Sequence, residues 1–135
     1  MIVVDASVLI DALLDDGSVG EAAREVLADD PAWAAPGHLF VEFLSVLRRR
    51  VLRDEVRPVR AGHAVESLGE WEIVWTDPAV TVARTWELRH NVTAFDAAYV
   101  AAAEVLDCAL VTSDRRLAEA SGPRCPVRVV GREMG

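Results

Sequence analysis

The opening stretch, Met1 to Asp11, constrains the fold of this chain more than any other segment. Ile2, Val3 and Val4 form a β-branched run with no polar alternation, the pattern of a strand buried on both faces in a parallel sheet. The run ends on a carboxylate, Asp5, and turns at once into Ala6 Ser7 Val8 Leu9 Ile10, where Ser7 can cap a helix. Asp5 is therefore expected at the carboxyl end of a core strand. Open α/β sheets bind ligands there, because strand ends and helix starts surround a crevice.

Downstream, helical segments alternate with short apolar ones. Ser18 can cap a second helix through Val19, Ala22, Ala23, Val26 and Leu27, and Trp33 to Pro36 reads as a second strand. Pro36 Gly37 His38 leads into a third helix with an apolar face of Leu39, Phe40, Phe43, Leu44, Leu47 and Val51. Pro58 starts a fourth helix, and Trp71 to Trp75 reads as a strand with both tryptophans on one face. Asp77 Pro78 opens a fifth helix, and Thr93 Ala94 Phe95 Asp96 begins a sixth, Ala97 to Leu106. Cys108 to Val111 is a further strand, Arg115 to Ala120 a short helix, and Val127 to Val130 a last strand. The expected architecture is a single domain over residues 1–135, a three-layer α/β/α sandwich around a short, mainly parallel sheet. At 52% hydrophobic residues the core needs no disulfide or structural metal to hold it.

Cys108 and Cys125 form no CxxC pair, which favours a reduced, cytoplasmic setting and leaves a disulfide between them open. No apolar run approaches the roughly 18 residues of a membrane span. A formal charge of −8 would repel nucleic acid, so any such role needs a local patch or bound cations. All 14 basic residues are arginine, which removes mechanisms that need a Schiff-base or phosphate-binding lysine. Arg48, Arg49, Arg50, Arg53, Arg57 and Arg60 form either a solvated face or a phosphate-binding ridge.

Four acids are candidates for the crevice: Asp5, Glu42, Asp96 and Asp114. Taken singly, each has an ordinary reading: Asp96 stands three residues after Thr93 in a capping-box arrangement, Asp114 precedes a helix, and Glu42 could cap or face solvent. Taken together, two fall at strand ends and two at helix starts, all on one edge of the sheet. Unpaired carboxylates about 4 Å apart repel by about 4 kcal/mol at an effective dielectric of about 20, so such a set takes up protons, recruits arginine or binds a cation. An all-oxygen cluster suits Mg2+, with Mn2+ as a substitute, and a cation there can activate water and neutralise a phosphodiester. His38, His63 and His90 are scattered and read as structural or surface residues.

The stretches Ile2 to Ser7, Val41 Glu42 Phe43, Thr93 to Ala101 and Leu110 to Asp114 resemble the PIN domain, and in order and spacing the VapC toxins of bacterial type II toxin–antitoxin modules. The resemblance implies a Mg2+-dependent endoribonuclease in which Asp5 and Asp96 are the principal metal ligands. By the same resemblance, Glu42 binds metal or helps activate water, Asp114 completes the site, and Ser7 or Thr112 supports it. It further implies a structured RNA substrate of the transfer or ribosomal class, a homodimer, and a cognate antitoxin that pushes an arginine or other polar group into the pocket. Some PIN domains carry a further acid at the position of Arg116, so a second metal is not implied. A haloacid-dehalogenase-like phosphatase needs an aspartate where Ser7 stands, and a receiver domain needs a lysine. The alternative from another class is a catalytically silent PIN-like interaction module whose acids serve only as caps.

Overall fold

The computed structural model describes residues 1–131. Its centre is a five-stranded sheet in which β1 (Ile2–Val4) lies between β2 (Trp33–Pro36) and β4 (Ala109–Thr112), with β3 (Ile73–Thr76) and β5 (Val127–Val129) outside them. Every pairing is parallel, a stricter result than the mainly parallel sheet expected. The chain runs from β1 outward through β2 to β3, then crosses back to β4 and β5 on the other side. Strand order therefore reverses between β1 and β4, the switch point at which a crevice opens beyond the strand ends.

Helices α1 (Ala6–Leu14), α2 (Ser18–Asp29), α3 (Leu39–Leu52) and α4 (Pro58–Glu70) belong to the first half of that path. Helices α5 (Pro78–Glu87), α6 (Ala94–Val105) and α7 (Arg115–Glu119) belong to the second. Right-handed crossovers in opposite directions put the two groups on opposite faces. On one face α1 carries α2 and α3. On the other, α6 lies against β1, β2 and β4 and carries α5. The alanines of α6 explain the close approach: Ala97, Ala101, Ala102 and Ala103 are fully buried, as are Val3, Val4, Val8, Leu9, Leu110 and Val111. With β1 buried on both faces, polar alternation would have been costly, and the sequence has none.

Several local expectations change. Asp5 itself, not Ser7, is the N-cap of α1, with its side chain accepting from the Val8 N–H. Gly17 precedes α2 with no side-chain cap, because Asp15 Oδ1 already accepts from the N–H groups of Gly17 and Gly20 at 2.8 and 3.0 Å. Thr93 caps α6, which begins at Ala94 instead of Ala97. The two tryptophans do not share a strand face. Trp71 ends α4, its ring edge-on to Trp33 at 5.3 Å between centroids, while Trp75 lies in β3 and is exposed.

The turn between α1 and α2 tests this packing. A Cβ on Gly20 would lie 1.9 Å from the Asp15 carbonyl oxygen and 2.8 Å from that of Asp11, whereas one on Gly62, inside α4, would meet nothing within 4 Å. Gly20→Ala should cost about 3 kcal/mol, and Gly62→Ala should gain up to about 1 kcal/mol from helix propensity. Urea unfolding checks both; equal stabilities would contradict the close approach of α1 and α2.

Candidate active site

At the switch point the two turns that leave β1 and β4 are tied to one buried carboxylate. Asp5 is 7% exposed. Its Oδ1 accepts from the Ser7 hydroxyl at 2.5 Å and the Val8 N–H at 3.2 Å, and its Oδ2 accepts from the Thr112 hydroxyl. Each hydroxyl is in turn held from the other side. Ser7 Oγ accepts from the Ser113 N–H and Thr112 Oγ1 from the Asp114 N–H, both at 3.0 Å. Register explains the meeting, since Val4 pairs with Val111 and the next residues on both strands are Asp5 and Thr112. Of the carboxylate's roughly four lone-pair sites, three are used, leaving one on Oδ2.

The other three acids stand at helix starts around this centre. Thr93 Oγ1 accepts from the Asp96 N–H at 3.2 Å, the capping contact of α6. Asp114 is the N-cap of α7: its Oδ1 accepts from the Arg116 N–H at 2.9 Å, and the Arg116 guanidinium lies 3.4 Å away. Glu42 is in the first turn of α3. Its Oε1 is buried with no aligned donor, although His38 Nε2 is 2.8 Å away, because that nitrogen also faces the Phe95 carbonyl at 3.1 Å. The Tyr99 hydroxyl is likewise buried without an aligned partner, and the Tyr99 ring stands 4.7 Å from that of His38.

Electrostatics couples all four acids. Burial pushes the Asp5 carboxyl up to about 6, against the hydrogen bonds of Ser7, Thr112 and Val8, and the charge of Asp96 adds to the rise. Asp96 is held above the ordinary carboxylate range by burial first, then by the charges of Asp114 and Glu42. Burial, followed by the charges of Glu42 and Asp5, pushes the Tyr99 hydroxyl far up, so it stays protonated.

Sequence reasoning missed four residues here. Asp11 Oδ2 accepts from the Ser113 hydroxyl at 2.6 Å, and His38 and Tyr99 border Glu42. Three of these stand one helical turn from a candidate: Asp11 four after Ser7, Tyr99 three after Asp96 and His38 four before Glu42, a spacing that could have found them. His38 is thus not an isolated histidine. The arginine cluster divides: Arg60 forms an ion pair with Asp16 at 2.7 Å, on the solvated-face reading, whereas Arg50 lines the groove described next.

A groove of about 640 Å3 runs over Ser7, Asp11, Glu42, Ser113 and Asp114, bordered by Arg50, Arg115 and Arg116. The donor set fits a hard divalent cation: it is all oxygen and its charges raise one another's proton affinity. The acids surround this centre without closing on it. Among the described residues no three His, Cys, Asp or Glu side chains are gathered closely enough to hold an ion as they stand.

Comparison with known proteins gives the family and the fold. The sequence profile of the PIN domain matches residues 2–123. Ribonuclease VapC9 of Mycobacterium tuberculosis is 39% identical over 132 residues, which cover 98% of this chain and 100% of that protein. Ribonuclease VapC1 of the same organism is 39% identical over 129 residues, covering 95% and 96%. Among solved structures, M. tuberculosis VapC20, described as a sarcin–ricin loop cleaving toxin, superposes with a TM-score of 0.67 at 17% identity, covering 88% of this chain and 94% of that one. Rickettsia felis VapBC2, bound to a promoter DNA fragment, superposes with a TM-score of 0.70 at 14% identity, covering 96% and 99%. At such identities the structural likeness is one of fold.

The buried acid has a pH signature. Because the folded chain keeps the Asp5 proton up to about pH 6, against 3.8 ordinarily, the stability it contributes is full below 3.8 and lost as pH rises through about 6. In metal-free buffer Asp5→Asn should therefore gain about 2 kcal/mol on the unmodified chain between pH 4 and pH 7. Urea unfolding across that range measures the difference, and one that does not change with pH would mean Asp5 is not buried as a charge.

Proposed function

We propose that this chain, which belongs to the PIN domain family, is a metal-dependent endoribonuclease, the toxin of a type II toxin–antitoxin pair. One observation carries the proposal: the charges of Glu42 and Asp114 raise the proton affinity of Asp96, and that of Asp96 raises the proton affinity of Asp5, so four carboxylates grouped about the switch point repel one another. Caps alone account for the backbone contacts of Asp5, Asp96 and Asp114 but not for that grouping. The ribonuclease names of relatives matched along nearly their whole length point the same way.

In this reading Asp5, Glu42, Asp96 and Asp114 hold Mg2+, or Mn2+ in its place. Asp5 offers the lone pair left on Oδ2, and Ser7 and Thr112 keep it in position. Bound there, the cation supplies a polarised water and neutralises charge on the phosphodiester. Glu42 accepts the water proton at Oε1, with His38 at 2.8 Å as its neighbour. The substrate is an RNA of the structured transfer or ribosomal class, cleaved in the cytoplasm by one PIN-like domain spanning the chain. No helix of the described residues is long and apolar enough to cross a membrane.

An antitoxin partner is supported by the VapBC2 pair, and a homodimer by exposed apolar side chains near the site. Phe95 and Val41 line a shallow cavity together with Glu42 and are more than half exposed.

Cleavage of purified transfer and ribosomal RNA tests the reading. Mg2+ or Mn2+ should support cleavage, EDTA should stop it, and Asp96→Asn should lower kcat on the order of 100-fold or more. Without RNA, metal at 100 times its dissociation constant should add about 2.7 kcal/mol of stability to the unmodified chain and little to Asp96→Asn. No cleavage by the unmodified chain, with metal without effect on its stability, would favour the silent interaction module, whereas cleavage that survives Asp96→Asn would remove Asp96 from the site.

A further inference from the structure

The crevice continues past Asp114. On the other side of that residue and Arg116 from the larger groove lies a second cavity of about 460 Å3, between the turn that joins α5 to α6 and helix α7. Its lining changes sign across its width. Asp96 and Asp114 stand at one edge, and the remaining titratable lining residues are Arg89, His90 and Arg116. In a chain of formal charge −8 two arginines here balance two aspartates, and with Arg116 paired to Asp114 at 3.4 Å it is Arg89 that stands apart from the acids.

Arg89 is oriented without being neutralised. Its Nη1 donates to the Trp86 carbonyl at 3.0 Å, and its guanidinium carbon stands 4.4 Å from the Trp86 ring centroid. Among the described residues its recorded partners are this carbonyl and ring, and it makes none of the ion pairs with a carboxylate. Such a contact fixes the plane of the guanidinium and leaves most of its N–H donors unspent. Trp86 is 67% exposed, a large aromatic left at the rim.

The walls are braced in advance of any ligand. Arg84 joins α5 to α6 and to the loop after α7, through Glu104 at 2.7 and 3.2 Å and the Gly122 carbonyl at 2.8 Å. Gly122, at φ +108°, brings that loop close to Leu88 and Asn91, where a Cβ would stand 3.1 Å from the Leu88 side chain. A cavity held this way pays little to order itself around a guest.

We propose that this cavity binds one nucleotide of an RNA strand, next to the phosphodiester over the acids, with Arg89 and Arg116 on its phosphate and His90 and Asn91 facing its base. The assignment rests on the nuclease reading above and gives that reading a substrate geometry. Pockets for small ligands run from about 300 to about 1,000 Å3, and at about 460 Å3 this one has room for a nucleotide. The strand must then be unpaired at that position with its base turned out, as in loops and bulges. A protein segment is the competing occupant, and Arg89 favours RNA: among the described residues it lines the cavity without a carboxylate partner and lies against the exposed ring of Trp86, an arginine and an aromatic surface suited to a phosphate and a base.

The test uses the full chain in EDTA with a fluorescein-labelled single-stranded RNA of about 12 nucleotides and mixed sequence, titrated over a range of salt. Loss of one phosphate contact should flatten the dependence of log affinity on log salt by about 0.7 in Arg89→Ala. Arg89→Lys, which keeps the charge, should restore that slope. Arg128→Ala, on β5 and lining neither cavity, should leave it unchanged. With Mn2+ and a cleavable RNA, Arg89→Ala should raise KM about tenfold, whereas Asp96→Asn acts on kcat. If the unmodified chain cleaves RNA and Arg89→Ala alters neither slope nor KM, the nucleotide subsite is wrong and the nuclease reading stands. If the unmodified chain neither binds nor cleaves RNA, both fall. If Arg89→Ala leaves RNA binding intact but weakens a protein partner, the cavity belongs to that partner.

Discussion

A carboxylate is buried where the middle strand of the sheet ends, and much of the surrounding structure is what keeps it there. An isolated ionised carboxyl in an apolar interior is too costly to persist. Asp5 survives because two hydroxyls and a helix N–H surround it. Those hydroxyls, on Ser7 and Thr112, each accept a backbone N–H from the loop that follows β4, so the same groups that solvate the acid also shape the turn carrying Asp114. The pairing of β1 with β4 sets this arrangement, and Asp5 is its fixed point.

The capping and the catalytic readings of the acids are therefore not rivals at the level of geometry. Helices α1, α6 and α7 all begin at this centre, with Asp5, Thr93 and Asp114 as their N-caps. N-terminal helix ends favour negative charge, by about 0.3 to 1 kcal/mol each at exposed positions. That help does not balance the site, since Asp5 and Asp96 still bind protons more tightly than ordinary carboxyls. The shortfall of positive charge is what a divalent cation would meet. Arg116, with its side chain turned to its own cap at 3.4 Å, meets it only for Asp114.

What was legible in the sequence followed from local chemistry. The β-branched run of β1, the prolines that open α4 and α5, and the polar residues ahead of α5, α6 and α7 all fix elements through contacts a few residues long. The four acids were visible because each sits where such an element begins. Boundaries failed where a distant contact outweighed a local preference. Trp71 leaves the strand it was expected to start because Trp33, on another strand, offers its ring a partner. Ser18 loses its cap to Asp15 because α1 and α2 approach too closely at Gly20 for anything but a tight turn. His38, Tyr99 and Asp11 escaped for a different reason. Their one-turn spacing to Glu42, Asp96 and Ser7 is also what any helix face produces, and only packing singles them out.

The net charge seemed to argue against a nucleic-acid substrate, and its weight depends on distance. At physiological salt the Debye length is about 8 Å, so most of the 22 acidic residues are screened from a strand seated at the switch point. Their sum still governs approach, where it slows association, a repulsion that added salt relieves. Once the strand is seated, the groups within one screening length decide: acids at the centre, with Arg50, Arg115 and Arg116 on one side and Arg89, His90 and Arg116 on the other. Because the 14 Lys and Arg positions are all arginine, charged at any pH the fold survives, Arg50, Arg89, Arg115 and Arg116 keep their charge while the carboxylates beside them titrate. An acidic chain with a few arginines set among its acids is thus slow to meet RNA from afar and selective about how a strand settles across the site.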